Sequence, residues 1–264
     1  MTSALASISL PSSTRAALSR DHCPPVIHAI CLDIDDTVID YTGSARSALS
    51  ELIGRDDMWQ AWQRVTDEYS AKAVSGELDH ATMRRTRTKA FLADLGVLLD
   101  DDAVAELEER RLSRMNLSWR LFPDTRPCLD WLRAAGFAIA AVTNASAPHQ
   151  RARLAAQGIS RYFDVVVSAG ELGVAKPDPA IFHAACRQLG IPPAQTLHVG
   201  DRLDLDAAAA RAAGLHGVWL NRAAQRSDVD VPMIETLADL PELLVTDYRT
   251  PTLTSASGVP SPRG

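Results

Sequence analysis

From about residue 122 onward the chain keeps one rhythm, in which a helical stretch is followed by a short apolar run that stops at a polar residue. Residues 126–135 read as a helix stopped by Gly136, and 137–142 as a strand ending in Thr143-Asn144. Residues 149–157 are helical and 165–167 (Val-Val-Val) a strand. Residues 179–189 are helical and 196–199 a strand ending in Gly200-Asp201, and a helix at 207–213 precedes a last strand at 216–220. Strands that alternate with helices imply right-handed crossovers and a parallel sheet covered on both faces. A further apolar run, 27–32, lies far upstream and breaks off at Asp33. It reads as a strand buried on both sides. The expected fold class is therefore α/β, a doubly wound, mainly parallel Rossmann-like sheet. Ligands in such sheets gather beyond the carboxyl ends of the strands. Asp33, Thr143-Asn144 and Asp201 should thus share one crevice.

Between the first strand and this alternation the character changes. Residues 45–53 form one amphipathic helix. Met58, Trp59, Trp62, Val65 and Tyr69 recur at three- and four-residue spacing in a second. A third spans roughly 79–95, with Met83, Phe91 and Leu95, and Gly96 stops it. Asp100, Asp101 and Asp102 suit the positive end of a fourth, which carries Val104, Leu107 and Leu112. Residues 44–119 are thus a helical insert in a core made of 26–43 and 120–245. Residues 1–25 read as a flexible extension without a signal-peptide core, and 246–264, rich in Pro, Ser and Thr, as a disordered tail. A chain of 264 residues accommodates one large domain with such an insert.

An apolar fraction of 46% with 23% charged residues is that of a soluble globular protein. The net charge of −6 offers no basic footprint for nucleic acid or an anionic membrane. No run is long enough to span a bilayer. The 4 cysteines are scattered without metal-ligand spacing, which fits reduced thiols and a cytoplasmic protein. Cys31, in the first strand, reads as a small buried hydrophobe.

Asp33, Asp35, Asp36 and Thr37 crowd the end of that strand. Carboxylates so close repel one another, and a hard cation such as Mg²⁺, with oxygen ligands and phosphate, would offset them. The same residues could instead cap the next helix. Thr143-Asn144 could be a strand-end turn. Lys176-Pro-Asp-Pro179 could be a helix entry, with Asp178 as cap and Pro179 in the first turn. Gly200-Asp201 with Asp204 and Asp206 could be a solvated turn with charges at a helix N-terminus. Each signal is weak singly. Four of them, in order and each at an element boundary, are strong together.

The series resembles the haloacid dehalogenase superfamily, whose hydrolases carry four short motifs on a doubly wound sheet. Asp33-Ile-Asp35-Asp36-Thr37-Val38 is similar to the first motif, Thr143 to the second, Lys176 to the third, and Gly200-Asp201 with Asp206 to the fourth. The insert stands where the family places a helical cap. Residues 33–46 further resemble the branch holding pyrimidine 5′-nucleotidases and N-acylneuraminate-9-phosphatase. The resemblance implies a Mg²⁺-dependent phosphatase of a small phosphorylated metabolite, of the nucleotide or sugar phosphate class. Asp33 would be its nucleophile, forming an aspartyl-phosphate, and Asp35 its general acid–base. Asp33, the backbone carbonyl of Asp35 and Asp201 would bind the metal, with Asp206 acting at second hand or through water. Lys176 would offset charge. Thr143, Asn144 and the backbone N–H groups around Asp36 and Thr37 would hold phosphate oxygens. C–halogen hydrolases of the family generally lack an acid two residues after the nucleophile, so Asp35 argues for the phosphatase. A phosphomutase shares all four motifs. A non-enzymatic phosphoryl-accepting switch fits poorly, because its acidic pair precedes its acceptor. Arg64, Arg84, Arg85 and Arg87 in the insert are candidates for gripping the rest of the substrate. Nothing in the sequence specifies an oligomeric state.

Overall fold

The computed structural model describes residues 24–74 and 76–251. Strand β1 (Ala29–Leu32) is wholly buried because a parallel neighbour flanks it on each side. Those neighbours are β2 (Ala138–Thr143) and β4 (Thr196–Gly200), and β3 (Val165–Ser168), β5 (His216–Leu220) and β6 (Met233–Ile234) extend the sheet. The order is β3-β2-β1-β4-β5-β6, all parallel. The register aligns Leu32 with Ala141 and Val199, so β1, β2 and β4 release their chains at the same edge.

Helices cover both faces. On one, Leu129 and Leu132 of α5 (Thr125–Ala134) and Leu154 of α6 (Ala147–Ala156) meet Ile30, Leu32 and Ile139. On the other, Ile181, Phe182 and Ala185 of α8 (Pro179–Leu189) and Ala210 of α9 (Ala208–Ala212) cover Cys31 and Val142. A short helix α7 (Ala169–Leu172) follows β3. Cys31, Cys128 and Cys186 are free and buried.

The insert consists of α1 (Tyr41–Ile53), α2 (Trp59–Val74), α3 (His80–Asp94) and α4 (Asp101–Leu117). Its own apolar centre joins Leu49, Trp62, Phe91 and Leu92, with Trp62 and Phe91 edge to face at 5.1 Å. Helices α1 and α4 also send Ala45, Ala48 and Met115 into the core beside the sheet. The two linkers run side by side: Ile39 bridges Leu121, Asp40 N–H donates to the Arg120 carbonyl, and Ser44 Oγ donates to the Ser118 carbonyl at 2.9 Å.

Several boundaries differ from the sequence reading. Helix α1 starts at Tyr41 because the Asp40 side chain caps it, accepting from Gly43 N. The helix expected at 207–213 is preceded by one wide turn, Leu203–Ala207, in which Ala208 N–H reaches back five residues to the Leu203 carbonyl. Strand β6 and helix α10 (Leu240–Asp247) were not foreseen. Two residues are too few to show alternation, and Leu240 and Leu244 bury too short a stripe to read as a period. The tail expected from 246 is corrected for its first residues. Tyr248 lies edge-on to His216 at 5.3 Å, and Arg249 exchanges backbone bonds with Pro25 and Ile27. These interactions join segments far apart in sequence, which no local composition reveals. The extension expected at 1–25 and the tail beyond 251 lie almost wholly outside the described residues, as does Cys23.

Candidate active site

Asp33 continues the ladder one residue past β1, its N–H donating to the Val199 carbonyl, which sets its side chain at the carboxyl edge of the sheet. At the end of β4, Gly200 leaves room for Asp206. A Cβ there would stand 2.2 Å from Asp206 Cγ, so the Gly-Asp pair needs a residue without a side chain. Asp206 then turns inward from the wide turn and accepts three hydrogen bonds. Its Oδ1 accepts from Lys176 Nζ at 2.7 Å and His198 Nε2 at 3.0 Å, and its Oδ2 from Arg202 N–H at 3.1 Å. Lys176 Nζ also lies 2.5 Å from Asp33 Oδ1. Thr37 ties the two loops together. Its Oγ1 accepts from Asp201 N–H at 3.1 Å and lies 3.4 Å from Asp33 Oδ2.

The structure therefore brings Asp33, Lys176, Asp201 and Asp206 together, with Thr37 as the tie. Carboxylate oxygens of Asp33, Asp201 and Asp206 lie within 4.8 Å of one another. Lys176 and His198 already occupy Asp206, while no ion pair or hydrogen bond from another described side chain reaches the Asp201 carboxylate. Burial, and then the charges of Asp206 and Asp36, push Asp201 up to about 7. Burial likewise raises Asp33 against the pull of Lys176. Burial alone would discharge Lys176, but Asp33 and Asp206 hold it firmly protonated. In turn Lys176 and His198 overcome burial to keep Asp206 ionised, and burial keeps His198 below its ordinary value, hence neutral with Nε2–H donating. Crowded oxygen donors with a raised Asp201 fit a hard divalent cation, which would relieve the repulsion.

Thr143 and Asp35 meet through a residue the sequence reading missed. Gln150 Nε2 donates to Asp35 Oδ2 at 2.8 Å and lies 3.2 Å from Thr143 Oγ1. Arg153 Nη1 donates to Asp35 Oδ1 at 2.9 Å. Burial raises the Asp35 carboxyl while Arg153 and Gln150 pull it down, and burial prevails. Gln150 and Arg153 stand three apart on α6, a spacing indistinguishable in sequence from an ordinary polar stripe. His198, also missed, is a lone polar residue on an inward position of a buried strand.

Two residues expected at the phosphate have other partners here. The Asn144 side chain instead clamps the main chain of Lys176, accepting from its N–H at 2.7 Å and donating to its carbonyl at 3.0 Å. Asp36, at φ +58°, gives its carboxylate to Thr42 N–H and Oγ1 and its own N–H to the Ile39 carbonyl. Its side chain thus serves the start of α1. The N–H of Asp35 has no acceptor among the described residues. Asp178 caps α8 with Pro179 behind it, while Asp204 is an exposed partner of Arg202. In the insert, Arg87 is buried. Its guanidinium lies 4.2 Å from the Trp62 ring centre and 3.0 Å from Glu108, which also binds Thr88 and Arg111. Arg87 therefore holds α3 to α4, and Arg64 and Arg85 are exposed.

The sequence profile described as haloacid dehalogenase-like hydrolase matches residues 27–214. A glyceraldehyde 3-phosphate phosphatase from Methanopyrus kandleri is 31% identical over 227 residues, 80% of this chain and 93% of that one. The N-acylneuraminate-9-phosphatase of Mus musculus is 27% identical over 238 residues, 83% of this chain and 94% of that one. Among solved structures, the magnesium-bound HAD-hydrolase YfnB from Bacillus subtilis superimposes with a TM-score of 0.70 at 22% identity, covering 83% of this chain and 99% of that one. A 2-haloacid dehalogenase from Pseudomonas syringae pv. Tomato DC3000 gives 0.57 at 28%, with coverage of 83% and 99%. With a profile match over residues 27–214, which hold β1 to β4, a cap-like insert between β1 and α5, and a Lys–Asp cluster at the strand ends, this chain belongs to the haloacid dehalogenase-like hydrolases.

Proposed function

We propose that the protein is a Mg²⁺-dependent phosphatase that hydrolyses a small phosphorylated metabolite, of the nucleotide or sugar phosphate class, through an aspartyl-phosphate at Asp33. The observation that carries this reading is the buried Asp33 carboxylate held by Lys176 at 2.5 Å beside the unpaired Asp201 carboxylate. A phosphate monoester is anionic and repels an anionic nucleophile, so the site has to supply positive charge. Asp33, Asp201 and the backbone carbonyl of Asp35 would hold Mg²⁺, with Asp206 acting through Lys176. When bound, the ion supplies charge neutralisation and polarises a phosphoryl oxygen.

The chain's own residues do the rest. Asp33 attacks phosphorus, and the P–O bond to the alcohol breaks as Asp35 gives that oxygen its proton. Asp35 then takes a proton from water, which attacks the aspartyl-phosphate and returns Asp33 as a carboxylate with free phosphate. Lys176, fixed by Asn144, steadies the charge on Asp33 and the phosphoryl group. Thr143 Oγ1 accepts from Ala145 N–H and lies beside Gln150, so its own proton remains to donate to a phosphoryl oxygen. Phosphatases among the relatives and the presence of Asp35 support this reading over C–halogen cleavage. A cytoplasmic setting is supported by three free buried thiols, and no described helix is long and apolar enough to cross a membrane.

The test is phosphate release from a panel of phosphorylated metabolites, with and without Mg²⁺, for wild type and Asp33→Asn. Wild type should be active only with the cation, and the variant inactive though folded. Undiminished turnover by Asp33→Asn would sink the assignment.

A further inference from the structure

We infer that Gln150 and Arg153 are positioning residues for Asp35, and that Trp119, on the linker leaving the cap, buttresses them. The inference rests on the role given to Asp35 above. Asp35 stands two residues beyond β1 in a loop, where a carboxyl would ordinarily sample several rotamers. Here both of its oxygens are occupied, Oδ2 by Gln150 and Oδ1 by Arg153, from one face of α6.

Neither donor is an incidental surface group. Gln150 is wholly buried, and a buried amide costs free energy unless it is bonded, so its position is tied to Asp35 and Thr143. The Arg153 side chain is 15% exposed and lies with its guanidinium 3.9 Å from the Trp119 ring centre. A guanidinium stacked on an indole has its plane fixed, which aims its N–H groups. Trp119 is fixed in turn. Its ring stacks on Tyr41 at 5.8 Å, and its carbonyl accepts from Gln157 Nε2 at 2.9 Å, just past the end of α6. Tyr41 opens α1, and Trp119 lies on the linker that leaves α4. A line of contacts thus runs from the junction of core and cap through Arg153 to the carboxyl that must face the leaving group.

A residue that merely supports the fold would slow every substrate alike. One that aims Asp35 should matter most where a proton must be delivered as the bond breaks. The experiment is single-turnover phosphoenzyme formation with Mg²⁺, using 4-nitrophenyl phosphate, whose leaving group is stable unprotonated, and the alkyl phosphate that wild type turns over fastest. The variants are Arg153→Met, Arg153→Lys, Gln150→Met and Trp119→Phe, each checked for folding by its thermal melt. Arg153→Met and Gln150→Met should lower the alkyl first-step rate about 10- to 100-fold, at most the lower end of what general acid catalysis contributes, and the aryl rate less than about 3-fold. KM should hold within about 2-fold, Arg153→Lys should recover part of the alkyl rate, and Trp119→Phe should lose less than Arg153→Met. If Arg153→Met does not fold, the alkyl-to-aryl ratio of Arg153→Lys decides. Equal losses on both substrates, unchanged rates, or a raised KM with kcat kept would overturn the inference. Absence of any phosphoenzyme in wild type would instead overturn the aspartyl-phosphate reading, and this inference with it.

Discussion

Asp201→Asn should make the cation-free protein more stable, and the effect should depend on pH. Burial and the carboxylates of Asp206 and Asp36 raise Asp201 from 3.8 to about 7 in the folded chain. A carboxyl whose folded pKa lies above its unfolded value favours folding while protonated. That contribution is complete below about pH 4 and is lost as pH rises through about 7. Above that point the ionised group opposes folding by at most about 4 kcal/mol, the equivalent of the displacement. Asp201 is partly exposed, and solvent screening brings the figure nearer about 2 kcal/mol. Asparagine keeps the shape and removes the charge. Urea denaturation in chelator should therefore find Asp201→Asn more stable by about 2 kcal/mol near pH 8, with the advantage fading toward pH 4. Saturating Mg²⁺ should stabilise wild type, by about 2.7 kcal/mol at a hundredfold excess over Kd, and the variant far less. A variant no more stable than wild type at about pH 8 in chelator would refute the electrostatic argument. So would an advantage independent of pH.

Glu108→Gln should weaken the cap, because Arg87 and Arg111 share that buried carboxylate at 3.0 and 2.7 Å. Breaking such a cluster on one side costs about 3–5 kcal/mol, and a loss under about 1 kcal/mol by urea denaturation would show that the arginines find other partners. A chain ending at 247 loses the Tyr248 ring contact and the Arg249 backbone pairing, and should melt about 2–6 °C below a chain ending at 251. Equal melting temperatures would mean that these contacts add nothing to the fold.

Much of this protein was legible in one dimension because its main constraints are local. A parallel strand buried on both faces has to be an apolar run, and a crossover has to be an amphipathic helix, so β1, β2, β4, β5 and α8 are visible in composition alone. The ends of those runs also marked Asp33, Thr143 and Asp201, since polar residues abruptly following a buried strand stand out, whereas Lys176 stood at a helix entry and drew its role from the family resemblance. Asp178 and Pro179 were readable as a helix start for the same reason, and Asp178 caps α8. Tertiary structure decided which side chains those positions serve. Asn144 belongs to the Lys176 backbone and Asp36 to Thr42, because each finds its nearest donors there once the loops are packed. Arg87 passed from candidate substrate contact to buried partner of Glu108, a pairing across 21 residues. Gln150, Arg153 and His198 carried no local mark. A polar residue on a helix or strand looks the same whether it meets water or a catalytic carboxylate, and only the folding of distant segments onto one another determines which it meets.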